Sequence, residues 1–414
     1  MEERTYQRTH PWITFKADLA LIPYTFWMQL GEVQALCDRL CQVPLAPGTS
    51  KALHRIYLAK GVAATTAIEG NTLSEEEVRR YIDRTLQLPP SKEYLGREVE
   101  NILTGLNLIL KRIEQPDRDA ELTAALITDF NRIVLADLEL EEGVVPGELR
   151  THSVGVGTYR GAPAEDCLYL LDRLCSWLPG IQAPQPDNRI AFAVLRAILA
   201  HLYIAWIHPF GNGNGRTARL VELLILLKSG IPSPAAHLLS NHYNLTRTQY
   251  YRELDRASKS GGDIVPFLSY AVQGLLDGLR EQMTYVTAQQ VTVSWEHYVH
   301  EEFRGSGKTT VRQRDLVLEL SRHPEGVASH ELRGLSVTLA LHYEGKTTKT
   351  LSRDLNELKA RSLIRRVGPK WVARKEIILA FLPAQAREKG LDATGGAPAG
   401  VGRREGLNPI QAAK

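Results

Sequence analysis

At 414 residues the chain is long enough for two or three domains. A hydrophobic share of 43% and a charged share of 23% are those of a soluble globular protein. A formal net charge of +3 excludes a chain that binds a polyanion over its whole length. The four cysteines, Cys37, Cys41, Cys167 and Cys175, have neither CxxC zinc spacing nor disulfide-framework density. They read as half-buried thiols in a reducing cytoplasm. Met1 to His10 is charged and lacks the apolar stretch of a signal peptide, so the expected location is cytoplasmic.

Residues 1–23 read as an irregular arm. Leu30, Val33, Leu36 and Leu40 give helical spacing over Phe26 to Val43, and Pro44 to Ser50 interrupts it. A second helix is predicted from Lys51 to Ile68, ending in Glu69-Gly70-Asn71, a common type of helix end. Glu69 is an odd choice there, because the helix dipole disfavours negative charge at a C-terminus. A nearby cation would resolve this. Ser74 and Glu77 form a capping box for the next helix. Further helices are predicted over Arg97 to Ile113 and Leu122 to Leu135. Arg150 to Tyr159 alternates and is rich in glycine and β-branched residues, which predicts a short hairpin. A helix over Asp166 to Trp177 follows.

Ile190 to Ile207 is a long apolar run containing Arg196 and His201, and it reads as a buried core helix, with no membrane span. It leads into His208-Pro209-Phe210-Gly211-Asn212-Gly213-Asn214-Gly215-Arg216-Thr217-Ala218-Arg219, and another apolar run follows. Glycines allow close approach of backbone to a ligand. The N–H groups of a helix start can face an anion. Arg216 and Arg219, three apart, can face the same polyanion. His208 is the only histidine beside this loop and has the ordinary pKa of a general base near neutrality. Downstream, a helix over Asn241 to Leu254 carries Tyr250-Tyr251, two tyrosines that packing alone would also explain. Gly261-Gly262 precedes a helix over Val265 to Glu281, and a helical connector follows from Met283 to Lys308. Gly305-Ser306-Gly307-Lys308-Thr309-Thr310 lacks the first glycine and the preceding strand of a P-loop, and reads as a flexible hinge.

The remainder looks like a winged helix. Arg312 to Leu320 is its first helix, Ser329-His330-Glu331-Leu332 opens the second, Thr347 to Ser362 is the third, and Ile364 to Ala373 forms the wing around Gly368-Pro369. Lys346, Lys349, Arg353, Lys359, Arg361, Arg365, Arg366, Lys370, Arg374 and Lys375 meet only Asp354 and Glu357 as acids. Lys349, Arg353, Lys359 and Lys370 are the candidate DNA contacts, although winged helices also bind proteins. After Pro383 the composition turns Gly/Ala/Arg-rich and predicts disorder.

His208 to Arg219 resembles the signature of the Fic family, written HPFx(D/E)GNGRxxR, with Asn212 in place of the acidic residue. The resemblance extends from about Tyr24 to Leu275. It implies a mainly α Fic fold with a β-hairpin flap that aligns a target by strand addition. Arg160-Gly161 stands where many relatives have proline, so the flap tip is expected to differ. The implied activity is transfer of AMP from ATP to a Ser, Thr or Tyr hydroxyl of a target protein. His208 would be the base, and Gly213, Asn214, Gly215, Arg216 and Arg219 would hold the phosphates, with the Asn214 amide among the donors. Tyr250 and Tyr251 would line the adenine pocket. Thr65, Glu69 and Gly70 fit the family's (S/T)xxxE(G/N) inhibitory motif, in which the glutamate pairs with the second signature arginine, here Arg219. Relatives hold Mg²⁺ with the acidic residue that Asn212 replaces, so weaker metal binding and slower transfer are expected.

The expected organisation is an N-terminal helical region over 1–115, a catalytic core over 116–282, a linker over 283–308, a winged helix over 309–383 and a tail over 384–414. The partners implied are ATP, a hydroxyl-bearing protein and DNA. No membrane is expected, and a homodimer is left open. Two function classes stand at this level. One is a self-inhibited adenylyltransferase able also to remove AMP. The other is a DNA-binding regulator whose weak or inactive Fic domain only senses nucleotide.

Overall fold

The computed structural model describes residues 3–45, 47–114, 122–157 and 159–379. The chain divides into two compact units, Met1–Met283 and Thr284–Lys414. The boundary expected at 115/116 and the tail expected over 384–414 lie outside the described residues.

Apart from one hairpin, the described elements of the first unit are helices. They run α1 (Thr5–Thr9), α2 (Tyr24–Gln42), α3 (Pro47–Ala67), α4 (Glu75–Ile82), α5 (Glu93–Ile113) and α6 (Ala124–Val134). The hairpin β1 (Gly155–Val156) and β2 (Tyr159–Arg160) comes next, then α7 (Cys167–Trp177), α8 (Arg189–Ile207) and α9 (Asn214–Lys228). The small α10 (Ser233–Ala236), α11 (Leu238–Leu245) and α12 (Arg247–Lys259) lead to α13 (Val265–Glu302). Helix α8 is apolar all round and is therefore central. It packs on α2, α7, α9 and α12. By length and composition it could cross a membrane, yet 83% of it is buried inside this unit. The Ser74–Glu77 capping box forms as expected at the start of α4. Helix α3 lies against α4, α5, α9 and α11, which delivers its C-terminal end to the start of α9.

Three expectations change in this unit. Residues 1–23 are no irregular arm: Tyr6, Ile13, Phe15 and Ile22 are buried, and the Tyr6 N–H donates to Asp166 Oδ2 at 2.8 Å. Their apolar spacing matches no single helix or strand period, because the surface they fit is made by other helices. The helix expected over Asn241 to Leu254 is broken at Thr246, whose backbone is not helical and whose hydroxyl donates to the His242 carbonyl at 2.7 Å. The break lets Tyr243 and Tyr250 stack with ring centroids 4.9 Å apart. The helix expected to stop at Glu281 runs on to Glu302.

The second unit contains α14 (Lys308–Leu320), β3 (Val327–Ala328), α15 (Val337–Tyr343), α16 (Thr348–Ala360), β4 (Ile364–Val367) and β5 (Lys370–Ala373). Its antiparallel sheet has the order β3-β5-β4, with Val367 opposite Lys370 across a turn in which Gly368 has φ +58°. This is a winged-helix arrangement. Trp295, Val299 and Phe303, within the stretch read as a connector, are buried in its core. Ser329 does not open the second helix. Its hydroxyl accepts from Trp371 Nε1 at 2.9 Å, and Ser336 caps α15 instead.

Asp354 is not a surface acid. It is buried and accepts from Arg312 Nε (2.7 Å), Gln313 Nε2 (3.0 Å) and Tyr343 Oη (2.9 Å), joining α14, α15 and α16. The basic face is therefore less neutralised than its composition implied. Against that, Arg374 lies 3.2 Å from Glu376, Arg365 lies 3.7 Å from it, and Arg361 pairs with Glu357. Lys349, Arg353, Lys359 and Lys370 are exposed.

Candidate functional site

The loop between α8 and α9 is held by residues whose roles were not all legible beforehand. His208 ends α8 in the left-handed region, at φ 50° and ψ 58°. That conformation costs a non-glycine residue about 1 kcal/mol and needs support. Arg150 supplies it. Its guanidinium donates to the carbonyls of His208 (2.7 Å), His152 (2.7 Å) and Ala162, and its own N–H reaches Pro209. Arg150 is 5% exposed, a buried clamp instead of a hairpin residue. Nothing in its sequence neighbourhood marks it, since all of its acceptors, the Ile207 carbonyl included, are backbone. Gly161 lies at the hairpin base and not at its tip, where the turn passes through Gly157. A Cβ on Gly161 would meet His208 Cβ at 2.8 Å.

Gly213 caps α9 with φ 77°, a position suited to glycine. The first intrahelical bond is from Thr217 N to Gly213 O, 2.9 Å. The N–H groups of Asn214, Gly215 and Arg216 therefore stand before it, at the positive end of the helix. The Asn214 side chain, assigned above to phosphate, does another job. It accepts from Phe210 N (3.0 Å) and donates to Phe210 O (2.8 Å), fastening the loop to the helix.

Glu69 and Arg219, 150 residues apart, meet at this helix start. Arg219 Nη2 donates to Glu69 Oε1 at 2.6 Å and to the Thr65 carbonyl at 3.0 Å. A Cβ on Gly215 would lie 2.3 Å from Glu69 Oε1, so the carboxylate rests on the first turn of α9. Burial opposes the charge on Glu69, but the Arg219 guanidinium outweighs it and holds the carboxyl below the usual range. Gly70 follows with φ 107°. The misfit of a glutamate at a helix C-terminus is resolved by this cation.

Arg216 turns elsewhere. It donates to Glu98 Oε1 at 2.7 Å and to Asn212 Oδ1 at 3.3 Å. Sequence reasoning missed Glu98, one of several acids on α5 with no local mark. Asn212 Oδ1 also accepts from Gly213 N at 2.6 Å, which engages both of its lone pairs. Glu69 and Glu98 are each paired with an arginine, and no cluster of three or more His, Cys, Asp or Glu occurs among the described residues. These residues do not fit a protein-built Mg²⁺ site.

A cavity of about 510 Å³ opens over the loop, lined by Glu69, His208, Asn214 and Gly215 together with Tyr250, Tyr251, Leu254 and Arg247. Val156 and Tyr159 of the hairpin border it. Burial, with a smaller contribution from Arg150, pushes the His208 pKa down to about 4, and the Ala205 carbonyl holds its ring by a hydrogen bond. The imidazole is therefore neutral at neutral pH, able to take a proton. Tyr250 is 3% exposed and forms wall more than rim: its hydroxyl meets His201 Nε2 at 2.8 Å. Tyr251 is exposed at the mouth. Thr65, Gly70, Asn212, Gly213, Arg216 and Arg219 do not line the cavity.

The site thus joins a neutral histidine, a helix start against which Glu69 rests, and a cavity of about 510 Å³. Residues 121–226 match the family model described as the Fic/DOC family, and the chain carries a Fic/DOC domain. It is 30% identical over 244 residues to protein adenylyltransferase fic-1 of Caenorhabditis elegans, covering 59% of this chain and 44% of that one. It is 26% identical over 248 residues to protein adenylyltransferase Fic of Nematostella vectensis, covering 59% and 53%. The chain thus spans about half the length of these curated relatives. A Fic family protein from Desulfovibrio desulfuricans G20 superposes with a TM-score of 0.51 at 22% identity, covering 85% of this chain and 96% of that one. That similarity establishes the fold.

Proposed function

We propose that this chain is a protein adenylyltransferase held shut by its own Glu69. The observation that carries the reading is the Glu69 carboxylate resting on Gly215 against Arg219, where an anionic ligand would sit, beside a neutral His208. In the open form the backbone N–H groups of α9 and Arg219 hold the phosphates of ATP. His208 removes the proton from a Ser, Thr or Tyr hydroxyl of the target. The oxygen bonds to the α-phosphorus, the bridge to the β-phosphate breaks, and pyrophosphate leaves with the electron pair. The hairpin beside the cavity aligns the target by strand addition. Because the donor set around Asn212 does not suit magnesium, no step passes through a protein-held metal, and slow transfer is expected. Glu69 and His208 line the same cavity, which supports removal of AMP at the same site as a second direction.

The test is incubation with ATP labelled on the α-phosphate. Glu69→Gly is expected to label itself or a lysate protein well above wild type, and Asn212→Asp in that background to label faster still. Absence of label from every variant overturns the reading.

A second reading, a nucleotide-sensing DNA-binding regulator, is favoured by the engaged Asn212 and by the exposed lysines and arginine of α16 and the wing. Four such contacts to phosphate predict an affinity for duplex DNA that falls about 100-fold between about 50 and 200 mM salt. Lys349→Ala with Arg353→Ala should flatten that slope. Binding indifferent to salt counts against it. A cytoplasmic location is in keeping with four unpaired cysteines.

A further inference from the structure

Neither signature arginine lines the cavity, and Arg216 is held away from it by partners of its own. Its side chain is 6% exposed and that of Glu98 is 15% exposed, with 2.7 Å between Nη1 and Oε1. The other Glu98 oxygen, Oε2, accepts from Asn71 Nδ2 at 2.8 Å. Asn71 also donates to the Leu95 carbonyl and is two residues beyond Glu69. A polar chain therefore runs from the end of the inhibitory segment, through Glu98 on α5, to Arg216 and then to Asn212. Arg216 lies on the first turn of α9, as Gly215 beneath the Glu69 carboxylate does, while its guanidinium points to Glu98. Its Nε is buried without a partner, which marks the arrangement as incompletely satisfied. At position 212 the neutral amide leaves Glu98, among the described residues, as the only carboxylate paired with Arg216.

We propose that Glu98 is a second lock: it withholds Arg216 from the phosphates of ATP, as Glu69 withholds Arg219, and Asn71, which bonds Glu98 and stands two residues beyond Glu69, couples the two through the chain. The proposal rests on the nucleotide reading above and extends it to a residue outside the signature and the inhibitory motif. Opening the site then requires two ion pairs to exchange, and loosening one loosens the other through Asn71.

The experiment is titration of ATP alone, without added metal, by calorimetry and by the rise in melting temperature. The proteins are wild type, Glu69→Gly, Glu98→Gln, the double variant, Arg216→Ala, and Glu98→Gln with Arg216→Ala. Glu98→Gln is expected to melt lower without ligand, because a buried cation loses its partner. It should nevertheless bind ATP about tenfold more tightly than wild type and gain more melting temperature from it. With Arg216→Ala present, the Glu98 substitution should change nothing. If Glu98→Gln does not fold, Glu98→Asp, which keeps the charge and shortens the reach, is expected to shift affinity the same way by about threefold, roughly half of the tenfold effect on the free-energy scale. Affinity equal to or weaker than wild type in the Glu98 variants makes Glu98 a structural support and overturns the proposal, as does a gain that persists without Arg216. Tighter binding in Glu98→Gln with none in Glu69→Gly removes the Glu69 reading and leaves this one standing. No binding of ATP by any variant removes both.

Discussion

In the Glu69→Gly background, His208→Ala is expected to lower the rate of self-labelling by about 10²–10⁴-fold, the usual contribution of a positioned general base. The magnitude follows from three features of the site. Burial keeps the imidazole neutral by pushing its pKa down to about 4. The Ala205 carbonyl holds the ring, leaving the other nitrogen for the incoming hydroxyl. Arg150 fixes the left-handed backbone from which the ring projects. The same burial predicts the pH profile. A histidine at its ordinary value of 6.5 would lose base strength through pH 6. Here labelling should stay level from about pH 8 to about pH 5 and fail only near pH 4. The linked effect on stability has the same sign. The unfolded chain binds the His208 proton below about pH 6.5 and the folded one only near 4. The contribution of neutral His208 is therefore complete above 6.5 and lost as pH falls towards 4. The Glu69 pair adds to this, being present above the ordinary carboxylate range and lost as pH falls through its lowered value. Measured rates that halve near pH 6.5, or persist in His208→Ala, would place the base elsewhere.

Arg150→Ala is expected to destabilise the first unit by about 3 kcal/mol or more, read from thermal or urea unfolding. Its loss leaves the buried Ala162 carbonyl and the part-buried carbonyls of His208 and His152 without their donor, at about 1 kcal/mol each, and opens a cavity behind the loop. Arg150→Lys should recover little, because one ammonium cannot span carbonyls on both sides of the loop as a guanidinium does. Labelling in the Glu69→Gly background should fall with either substitution, since His208 loses the support of its backbone. A stable Arg150→Ala protein with normal labelling would show that the left-handed turn holds itself.

Much of this site could be read before the fold was known. The phosphate loop, the base and the carboxylate of Glu69 stood out because each carries a local mark: a glycine run after an apolar helix, a single histidine, an acid where the helix dipole disfavours it. What escaped reading lacks such marks. Glu98 is one acid among several on α5, and its partner is 118 residues away. Arg150 bonds only to backbone, which any residue provides. Asn214 was assigned to phosphate by its neighbours, whereas its amide closes the loop on Phe210. Asp354 looked like a surface acid because its helix is amphipathic, and only the approach of α14 and α15 puts it inside. The N-terminal arm follows the same rule, with Tyr6 and Phe15 filling hollows that other helices create.

By itself, then, the sequence determined that the chain is mainly helical, where the Ser74 capping box starts a helix, that glycines stand at Gly70 and Gly213 where φ is positive, and what kinds of charge the loop brings. Those are short-range matters of backbone sterics, capping and spacing, settled within a few residues. The tertiary structure decided which carboxylate holds which arginine, and that the loop is occupied by the chain's own Glu69. An ion pair depends on distances and on loss of water that exist only after distant helices have packed, so no local pattern can carry it.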